Sequence, residues 1–372
     1  MSGSSLWTSS PPSVVSSPWY ATAAPGTTEL VVHLGSRLQR PIWLNALRAN
    51  GVPEDEAQAI CNRIADSYRE HGAMMPDDAI ATLRAHDAVM LGAVGHPTVP
   101  DHVSLWGLIL PIRQELDLWA NERPARLLPG VPCPLAGKRP EDVDMLFVRE
   151  NTEGEYSGVG GRAHRGLPLE VAIEGGVFTR GGVERVVRHA FALARGRRGL
   201  LTSATKSNAS RYGYVLWDEV CAEVAAEYPD VRYEKVLVDA LAARMVRSPE
   251  SLDVIVASNL FGDILTDLAA AIQGGMGIAA SANIAPGSDV PGLFEPVHGS
   301  APDIMGQGIA NPTGAIWCAS MMLEHLGEAE AARALMDALT ATLADGPRTR
   351  DIGGSATTGE VGAAVARRLG AR

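Results

Sequence analysis

Two aspartates, Asp263 and Asp267, lie four residues apart on a stretch that follows a strongly apolar run. Residues 253–257 predict a buried strand, and residues 261–271 predict the beginning of a helix. Because residues i and i+4 share one face of a helix, the two carboxylates point the same way and repel each other by roughly 0.2–0.5 kcal/mol. A divalent cation with oxygen ligands would relieve this repulsion, and such ions commonly take part in catalysis.

The same spacing also has a purely structural explanation. Acids in the first turn of a helix are stabilised by the helix dipole, and Asn259 is placed to cap this helix. On these residues alone the two explanations stay open, and the rest of the chain has to decide between them.

Three arginines are candidates for binding carboxylates. Arg113 and Arg123 flank residues 114–122, and Arg149 ends the predicted strand 145–148. An arginine at the end of a buried strand is well placed to grip a carboxylate through two parallel hydrogen bonds. The alternative for each arginine is an ion pair with an acid of its own domain.

Two further side chains could move protons. Tyr156 lies in the turn-rich stretch 153–158, which predicts a free hydroxyl that could donate a proton. Lys206 follows the run 200–203, and partial desolvation there would favour its neutral form, which can act as a base. A solvated surface lysine is the alternative.

The segment 295–303 combines glycine, small residues, a histidine and an acid. Exposed backbone N–H groups of such a segment suit a phosphate, and the acid that follows suits ribose hydroxyls. The fingerprint G-x-G-x-x-G after a strand is absent, so a dinucleotide would have to bind in another way.

Composition narrows the class of protein. A chain of 372 residues predicts about two domains. Its net charge of −11 argues against nucleic-acid binding, and no apolar run is long enough to span a membrane, so a cytoplasmic protein is expected. The four cysteines are far apart and predict reduced thiols. Residues 1–30, rich in Ser, Pro, Thr and Ala, lack the features of a secretory signal and predict disorder.

Strands and helices alternate along the chain, which predicts an α/β fold. The glycine- and proline-rich stretch 272–302 interrupts the alternation and is a candidate functional loop. Predicted strands lie at 87–91, 145–148, 200–202, 235–238 and 253–257. Predicted helices lie at 54–69, 79–85, 104–118, 183–195, 213–227, 313–326 and 329–344.

Taken together, the stretches 258–267 and 295–303, with Asn311-Pro312, resemble the isocitrate/isopropylmalate dehydrogenase family of β-decarboxylating dehydrogenases. The resemblance runs from about Ser67 to the C-terminus. Within the family, residues 100–107 and 160–168 are similar to the tartrate and D-malate dehydrogenase branch.

The resemblance implies the isopropylmalate dehydrogenase-like fold, in which two domains border a cleft, and not a Rossmann fold. Residues 67–118 plus 274–372 would form the cofactor-binding domain. Residues 119–273 would form the domain for substrate, metal and dimerisation. Residues 1–66 match nothing in the family, whose members begin with a strand and a Gly-Asp-Gly-like turn, and a frameshift is the hypothesis that accounts for this.

The resemblance also implies a role for each candidate residue. The substrate carboxylates would be held by Arg113, Arg123 and Arg149, with Ile109 facing the variable group of the substrate. Asp239, Asp263 and Asp267 would bind Mg²⁺ or Mn²⁺. Lys206 would accept the hydroxyl proton together with Asp239, and Tyr156 would protonate the product enol. In this family Lys206 and Asp239 come from the partner subunit, so a homodimer is implied. The residues implied for NAD are Glu295, His298, Gly299, Ser300, Ala301, Asp303 and Asn311.

The function that follows from the resemblance is NAD- and metal-dependent oxidative decarboxylation of D-malate or tartrate. An acid at Asp303 would repel the 2′-phosphate of NADP, and the apolar Ile109 disfavours isocitrate and leans toward D-malate. Two alternatives stay open. One is 3-isopropylmalate dehydrogenase, and the other is a catalytically inactive homologue that lacks the N-terminal glycine turn.

Overall fold

The computed structural model describes Val31–His33, Tyr68 and residues 71–95, 99–304 and 306–370. The helix predicted over residues 54–69 lies outside this range except for Tyr68. Residues 1–30, for which disorder is expected, also lie outside it.

The described residues form eleven strands and ten α-helices, which alternate over residues 171–284. The strands are β1 (Val31–His33), β2 (Ala88–Leu91), β3 (Ala120–Arg126), β4 (Asp144–Glu150), β5 (Gly154–Ala163), β6 (Val171–Val177), β7 (Leu200–Thr205), β8 (Arg232–Leu237), β9 (Val254–Ala257), β10 (Ala280–Ile284) and β11 (Gly292–Pro296). The helices are α1 (Ala79–Leu83), α2 (Asp101–Ser104), α3 (Leu110–Glu115), α4 (Arg180–Arg195), α5 (Gly213–Ala225), α6 (Val238–Arg247), α7 (Asn259–Ile272), α8 (Thr313–His325), α9 (Ala329–Asp345) and α10 (Thr358–Gly370).

The chain divides into two compact units. The described residues of the first unit lie within Met1–Leu116, Gly277–Ala282 and Asp289–Arg372. The second unit consists of Asp117–Met276 and Asn283–Ser288.

In the first unit the strands follow the order β1-β2-β11-β10. Both β1 and β11 run parallel to β2, with Val31 opposite Val89 and Gly292 opposite Ala88. The short strand β1 therefore pairs with β2 although residues 1–66 lack the family's first motif. Backbone hydrogen bonds of a ladder do not depend on side chains, so a short segment of unrelated sequence can fill such a place.

In the second unit the order is β3-β4-β9-β7-β8. Strand β3 is antiparallel to β4, whereas the pairs β4–β9, β9–β7 and β7–β8 are parallel. Strands β5 and β6 form a separate antiparallel hairpin. The carboxyl ends of the parallel strands meet at one edge of the sheet, where the residues that follow β4, β7, β8 and β9 are found.

The core of the second unit lies between its sheet and the helices α4 and α5. Helix α4 buries Val183, Val187 and Phe191, whose spacing of four residues places them on one face. Trp217 of α5 is fully buried against them, and each such side chain contributes about 1.5–3 kcal/mol through burial. Thr179 caps α4 by accepting a hydrogen bond from the Gly182 N–H at 3.0 Å.

Several elements differ from the sequence predictions. Residues 272–302 are not one loop, because they contain a 3₁₀ turn, β10 and β11. The helix predicted over 104–118 is three pieces, with a π-helical turn at Leu105–Ile109 between α2 and α3. The sequence did not predict strands β1, β3, β5, β6, β10 and β11 or helices α6 and α10.

Three cysteines and the lengths of the helices can be described. Cys133, Cys221 and Cys318 are free thiols, and Cys61 lies outside the described residues. Burial raises the pKa of Cys221 and that of Cys318 to about 12, which keeps both thiols protonated. No helix within the described ranges is long and apolar enough to cross a membrane.

Candidate active site

The two aspartates lie on helix α7, which begins directly after the buried strand β9. The N-cap of this helix is Ser258, so the prediction that Asn259 caps it is wrong. Asn259 is instead the first helical residue, and its buried side chain points to neighbouring elements. The hydroxyl of Ser258 lies 2.6 Å from that of Tyr214.

Asp263 faces two positive charges. One oxygen of its carboxylate accepts a hydrogen bond from Arg149 Nη1 in an ion pair, and Arg123 Nη1 lies 3.6 Å from the same oxygen. The other oxygen accepts a hydrogen bond from the Tyr156 hydroxyl at 3.2 Å. The positive charge expected in front of the aspartate pair is therefore supplied in this chain by arginine.

Asp267 lies one turn further along the same helix, and the residue is exposed although its carboxyl is partly desolvated. Burial raises the pKa of its carboxyl above the ordinary value, and the nearby negative charge of Asp263 raises it further. Arg123 and Arg149 oppose this rise without cancelling it. The two aspartates thus form a like-charge pair with oxygen donors on one helix face, which is a donor set that suits Mg²⁺ or Mn²⁺.

Arg149 is buried at the carboxyl end of β4 and is held on both sides of its guanidinium. Asn259 Oδ1 accepts hydrogen bonds from Nε at 2.9 Å and from Nη2 at 2.6 Å. Gly262 allows this approach, because a Cβ there would lie 2.6 Å from Arg149 Cγ. The guanidinium is fixed in orientation before any ligand arrives.

Arg123 lies on β3 beside β4 and is also buried. Its Nη1 donates to Thr266 Oγ1 at 2.7 Å, and Thr266 in turn donates to the backbone oxygen of Asp263 at 3.0 Å. The alternative considered for the arginines, an ion pair with an acid of the same domain, is therefore present for Arg123 and Arg149. The contact of both arginines with substrate stays a prediction.

Tyr156 lies within strand β5, and its hydroxyl is bonded to Asp263, so the prediction of a free hydroxyl in a turn is wrong. Partial burial raises the pKa of the phenol, and the negative charge of Asp263 raises it further, which keeps the hydroxyl protonated. The Arg149 guanidinium lies 5.6 Å from the centre of the ring. A protonated phenol beside buried arginines is equipped to donate a proton.

Lys206 and Asp239 meet because they follow two adjacent parallel strands, β7 and β8. Their side chains form an ion pair, and this hydrogen bond lowers the pKa of Asp239 below its ordinary value. The Asp239 side chain is 64% exposed. Within the described part of the chain, no group of three or more His, Cys, Asp or Glu side chains could hold a metal ion. A single chain therefore does not assemble Asp239 with Asp263 and Asp267.

In the first unit Arg113 forms a buried ion pair with Glu295, in which Nη2 donates to Oε1 at 2.6 Å. The structure thus brings a predicted substrate residue together with a predicted cofactor residue. Ile109, also predicted to face substrate, is the last residue of the π-helical turn that precedes α3 and is partly exposed. Such turns are often found at functional sites.

The remaining residues predicted for NAD follow β11. Asp303 lies in an exposed 3₁₀ turn, and Ala301 before it has φ +44°. The packing around His298 lowers the pKa of its imidazole, so the ring is neutral at pH 7. A Cβ at Gly95 would lie 2.7 Å from Ser300 Oγ, and Gly299 has nothing within 4 Å of its own added Cβ.

Asn311, the last residue predicted for NAD, is buried and already has hydrogen-bond partners. Its amide donates to Asp351 Oδ2 at 2.9 Å, and its oxygen accepts from the Thr313 N–H at 3.0 Å. An exposed acid and open backbone after β11 fit the ribose and phosphates of a dinucleotide.

Sequence reasoning missed three residues that hold the site together, namely Asn259, Thr266 and Tyr214. Tyr214 donates to Glu155 Oε1 at 2.9 Å and so ties α5 to the strand that carries Tyr156. The signal for Asn259 was its position at the helix start, where a capping role competed with the observed one. Nothing in the sequence distinguished Thr266 or Tyr214.

The α/β fold and the acidic pair beside buried arginines fit a dehydrogenase of the β-decarboxylating class, and comparison with known proteins agrees with this class. Residues 57–365 match the model of the isocitrate/isopropylmalate dehydrogenase family, and the chain belongs to this family. The match begins ten residues before Ser67, so the expectation that residues 1–66 match nothing in the family is wrong for residues 57–66. The predicted resemblance and the predicted α/β fold are both confirmed.

The chain is similar to several curated enzymes and solved structures. It is 56% identical over 302 residues to a probable tartrate dehydrogenase/decarboxylase of Agrobacterium vitis, covering 81% of this chain and 84% of that one. It is 53% identical over 305 residues to the D-malate dehydrogenase (decarboxylating) of Escherichia coli, covering 80% and 84%. The crystal structure of isocitrate dehydrogenase from Methylococcus capsulatus matches with a TM-score of 0.75 and 38% identity, covering 82% of this chain and 88% of that one.

Proposed function

We propose that this protein is an NAD- and divalent-metal-dependent dehydrogenase that oxidises and decarboxylates a 2-hydroxy dicarboxylic acid, D-malate or tartrate. The observation that carries the proposal is the arrangement of Arg123, Arg149 and Tyr156 around Asp263 on helix α7. The names of the relatives from A. vitis and E. coli support the same substrates.

Binding of the substrate rests on buried arginines. Arg123 and Arg149 are almost fully buried cations whose positions are fixed by Thr266 and Asn259. A dicarboxylate suits such groups because charge-assisted hydrogen bonds are strong where water is excluded. Arg113 would hold a carboxylate in the same way, and Ile109 would contact the group that differs between substrates.

Proton transfer is assigned to two side chains. Lys206 forms an ion pair with Asp239 and would have to be in its neutral form to accept the proton of the substrate hydroxyl as the carbon is oxidised. Tyr156 would then donate its phenolic proton to the enol carbon after CO₂ has left. Its raised pKa supports this role, because the hydroxyl stays protonated until a basic carbon is formed beside it.

The residues present fit the two groups that the family implies. Asp263 and Asp267, with Asp239, would hold Mg²⁺ or Mn²⁺, which would supply Lewis-acid stabilisation of developing negative charge. The segment from Glu295 to Asp303, with Asn311, would hold NAD, which would take up the hydride. The acid at Asp303 favours NAD over NADP, since it would repel a 2′-phosphate.

A homodimer would complete the site. One chain supplies only two of the three aspartates to one place, so Asp239 and Lys206 would have to come from the partner subunit. The β5–β6 hairpin supports association, because Leu169 and Ile173 on it are 78% and 67% exposed. Ile264, next to Asp263, is a further exposed apolar side chain. Exposed apolar groups of this size mark association surfaces when they lie together.

The test is NADH formation by the purified full-length chain with Mn²⁺ on D-malate, L-tartrate and 3-isopropylmalate, with the mass in solution measured alongside. We expect a dimer that turns over D-malate or tartrate and loses activity when a chelator removes the metal. Preference for 3-isopropylmalate would replace the proposed substrate. A dimer that is silent on all three substrates would identify an inactive homologue.

A further inference from the structure

Both polar atoms of the Asn259 side chain form hydrogen bonds, one to Arg149 and the other to the segment that leads to Tyr156. Its Oδ1 accepts from Arg149 Nε and Nη2 at 2.9 and 2.6 Å, and its Nδ2 donates to the backbone oxygen of Glu153 at 3.0 Å. The residue is 1% exposed, so water does not compete for these bonds.

The bond to Glu153 acts on the part of the hairpin that carries Tyr156. Strand β5 pairs with β6 at Gly154 and again from Val159, and the register shifts between these two points. Tyr156 lies in this irregular stretch, where the ladder restrains the backbone less. Its position therefore depends on side-chain contacts, which include the bond of its own hydroxyl to Asp263, Asn259 through Glu153 and Tyr214 through Glu155.

Glycines flank the amide and permit its close contacts. A Cβ at Gly154, where φ is +71°, would lie 3.2 Å from Asn259 Cβ. A Cβ at Gly262 would lie 2.7 Å from Arg149 Cβ. A carboxylate in place of the amide could not donate to Glu153, and it would neutralise the charge of Arg149. The neutral amide orients the guanidinium without adding a second carboxylate to the one that Asp263 already places against it.

We propose that Asn259 is a positioning residue that fixes the substrate-binding Arg149 and the proton donor Tyr156 relative to each other. This inference rests on the proposed function above, which assigns those two roles. Asn259 acts through the two residues and contacts neither substrate nor cofactor itself.

The kinetic test compares Asn259→Ala with Asn259→Asp. Both variants should lose about 10–100-fold in kcat/KM for the hydroxy acid, the size seen when partners of a site's direct ligands are removed. The KM for NAD should not change. Asn259→Asp keeps the volume of the side chain, so it should be the milder variant if Asn259 only fills space. If Asn259 positions Arg149, the new carboxylate neutralises the guanidinium, and Asn259→Asp should raise the substrate KM at least as much as Asn259→Ala does.

Double variants separate positioning from loss of stability. Asn259→Ala should cost less than about 3-fold when added to Arg149→Lys, because coupled residues are not additive. An equal loss in both backgrounds would overturn the proposal. Tyr214→Phe is the matched comparison, since it releases Glu155 without touching Arg149 and should lower kcat with little change in substrate KM. Ser203→Ala, which removes a buried hydroxyl that accepts from Trp217 at 2.9 Å, controls for destabilisation and should leave activity intact.

Hydrogen exchange supplies a readout that does not need activity. Amides of residues 154–157 should exchange faster in both Asn259→Ala and Asn259→Asp, since both lack the donor to Glu153, and should not change in Ser203→Ala. Unchanged exchange in both Asn259 variants would overturn the proposal even if their activity falls. The wild type could be silent on every substrate while the two Asn259 variants still show faster exchange. That result would refute the proposed function and leave the positioning role of Asn259 standing.

Discussion

Asp263 and Asp267 should respond in opposite directions when each is neutralised in the metal-free protein. Asp263 balances the buried Arg149 and the nearby Arg123, whereas Asp267 has mainly the repulsion of Asp263 and the cost of its own burial. We therefore expect Asp263→Asn to destabilise the protein and Asp267→Asn to stabilise it slightly.

The magnitudes follow from exposure. Removing one partner of a fully buried pair costs about 3–5 kcal/mol. The Asp263 side chain is 38% exposed, so solvent screens part of that interaction, and about 1–3 kcal/mol is expected after this discount. Asp267→Asn relieves a like-charge pair on one helix face and should gain roughly 0.2–0.5 kcal/mol.

The pH dependence has a definite sign. The folded-state pKa of Asp267 is raised above 3.8, so wild-type stability from this group is present at low pH and is lost as pH rises through the folded-state value. The advantage of Asp267→Asn should therefore be absent below pH 3.8 and should appear as pH rises above it.

The assay is urea or thermal unfolding with a chelator present, repeated with Mn²⁺. A unit of this size shifts in Tm by about 2–4 °C per kcal/mol, so the two variants are easily separated. Mn²⁺ should raise the Tm of the wild type and of neither variant. If Asp267→Asn lowers the metal-free Tm as much as Asp263→Asn does, the charge balance described for Asp263 is wrong.

Three further outcomes are expected. Tyr156→Phe should lower kcat by about 10²–10⁴-fold with little change in substrate KM, and a raised KM with unchanged kcat would remove it from proton transfer. Lys206→Met and Asp263→Asn should each be inactive. Mixing the two variants with subunit exchange should restore roughly a quarter of wild-type activity, because half of the dimers then contain one chain of each kind and keep one intact site of two. No recovery would contradict a shared site. Glu295→Gln should raise the KM for substrate as well as for NAD, since Glu295 pairs with Arg113, and an effect on NAD alone would show that the pair does not matter for substrate.

The sequence predicted the strands whose composition is apolar and β-branched. All of the strands predicted at 145–148, 200–202, 235–238 and 253–257 correspond to β4, β7, β8 and β9. Strand β3 was missed because Ala120–Arg126 contains charges and Pro124, which normally exclude a strand. It forms because β4 offers an antiparallel partner along seven residues. Pairing of this kind depends on distant parts of the chain, which local pattern does not contain.

The candidate site also contains some features that local sequence predicts and others that depend on distant parts of the chain. The shared face of Asp263 and Asp267 is a property of one helix, so its spacing was sufficient. The hydrogen bond of Tyr156 to Asp263 and the fork of Asn259 on Arg149 join residues more than a hundred positions apart. Those contacts follow from the order of β4, β9 and β5 around α7, and no local pattern could have placed them.

Under the proposed function, the charges around Asp263 would make metal binding depend on the anions that join the site. Arg123 and Arg149 already compensate Asp263 in one chain, so a divalent cation placed at Asp263 and Asp267 alone would leave two guanidinium groups and the ion against two carboxylates. A bound dicarboxylate would bring two negative charges and balance that excess, and Asp239 would add a third. Coupling of this kind is reciprocal, so each anion that joins the site also tightens the hold on the cation. Under the proposed function, a substrate carboxylate would bind Arg149 and the metal would bind Asp263. The ion pair between these two residues is then their arrangement before either ligand binds.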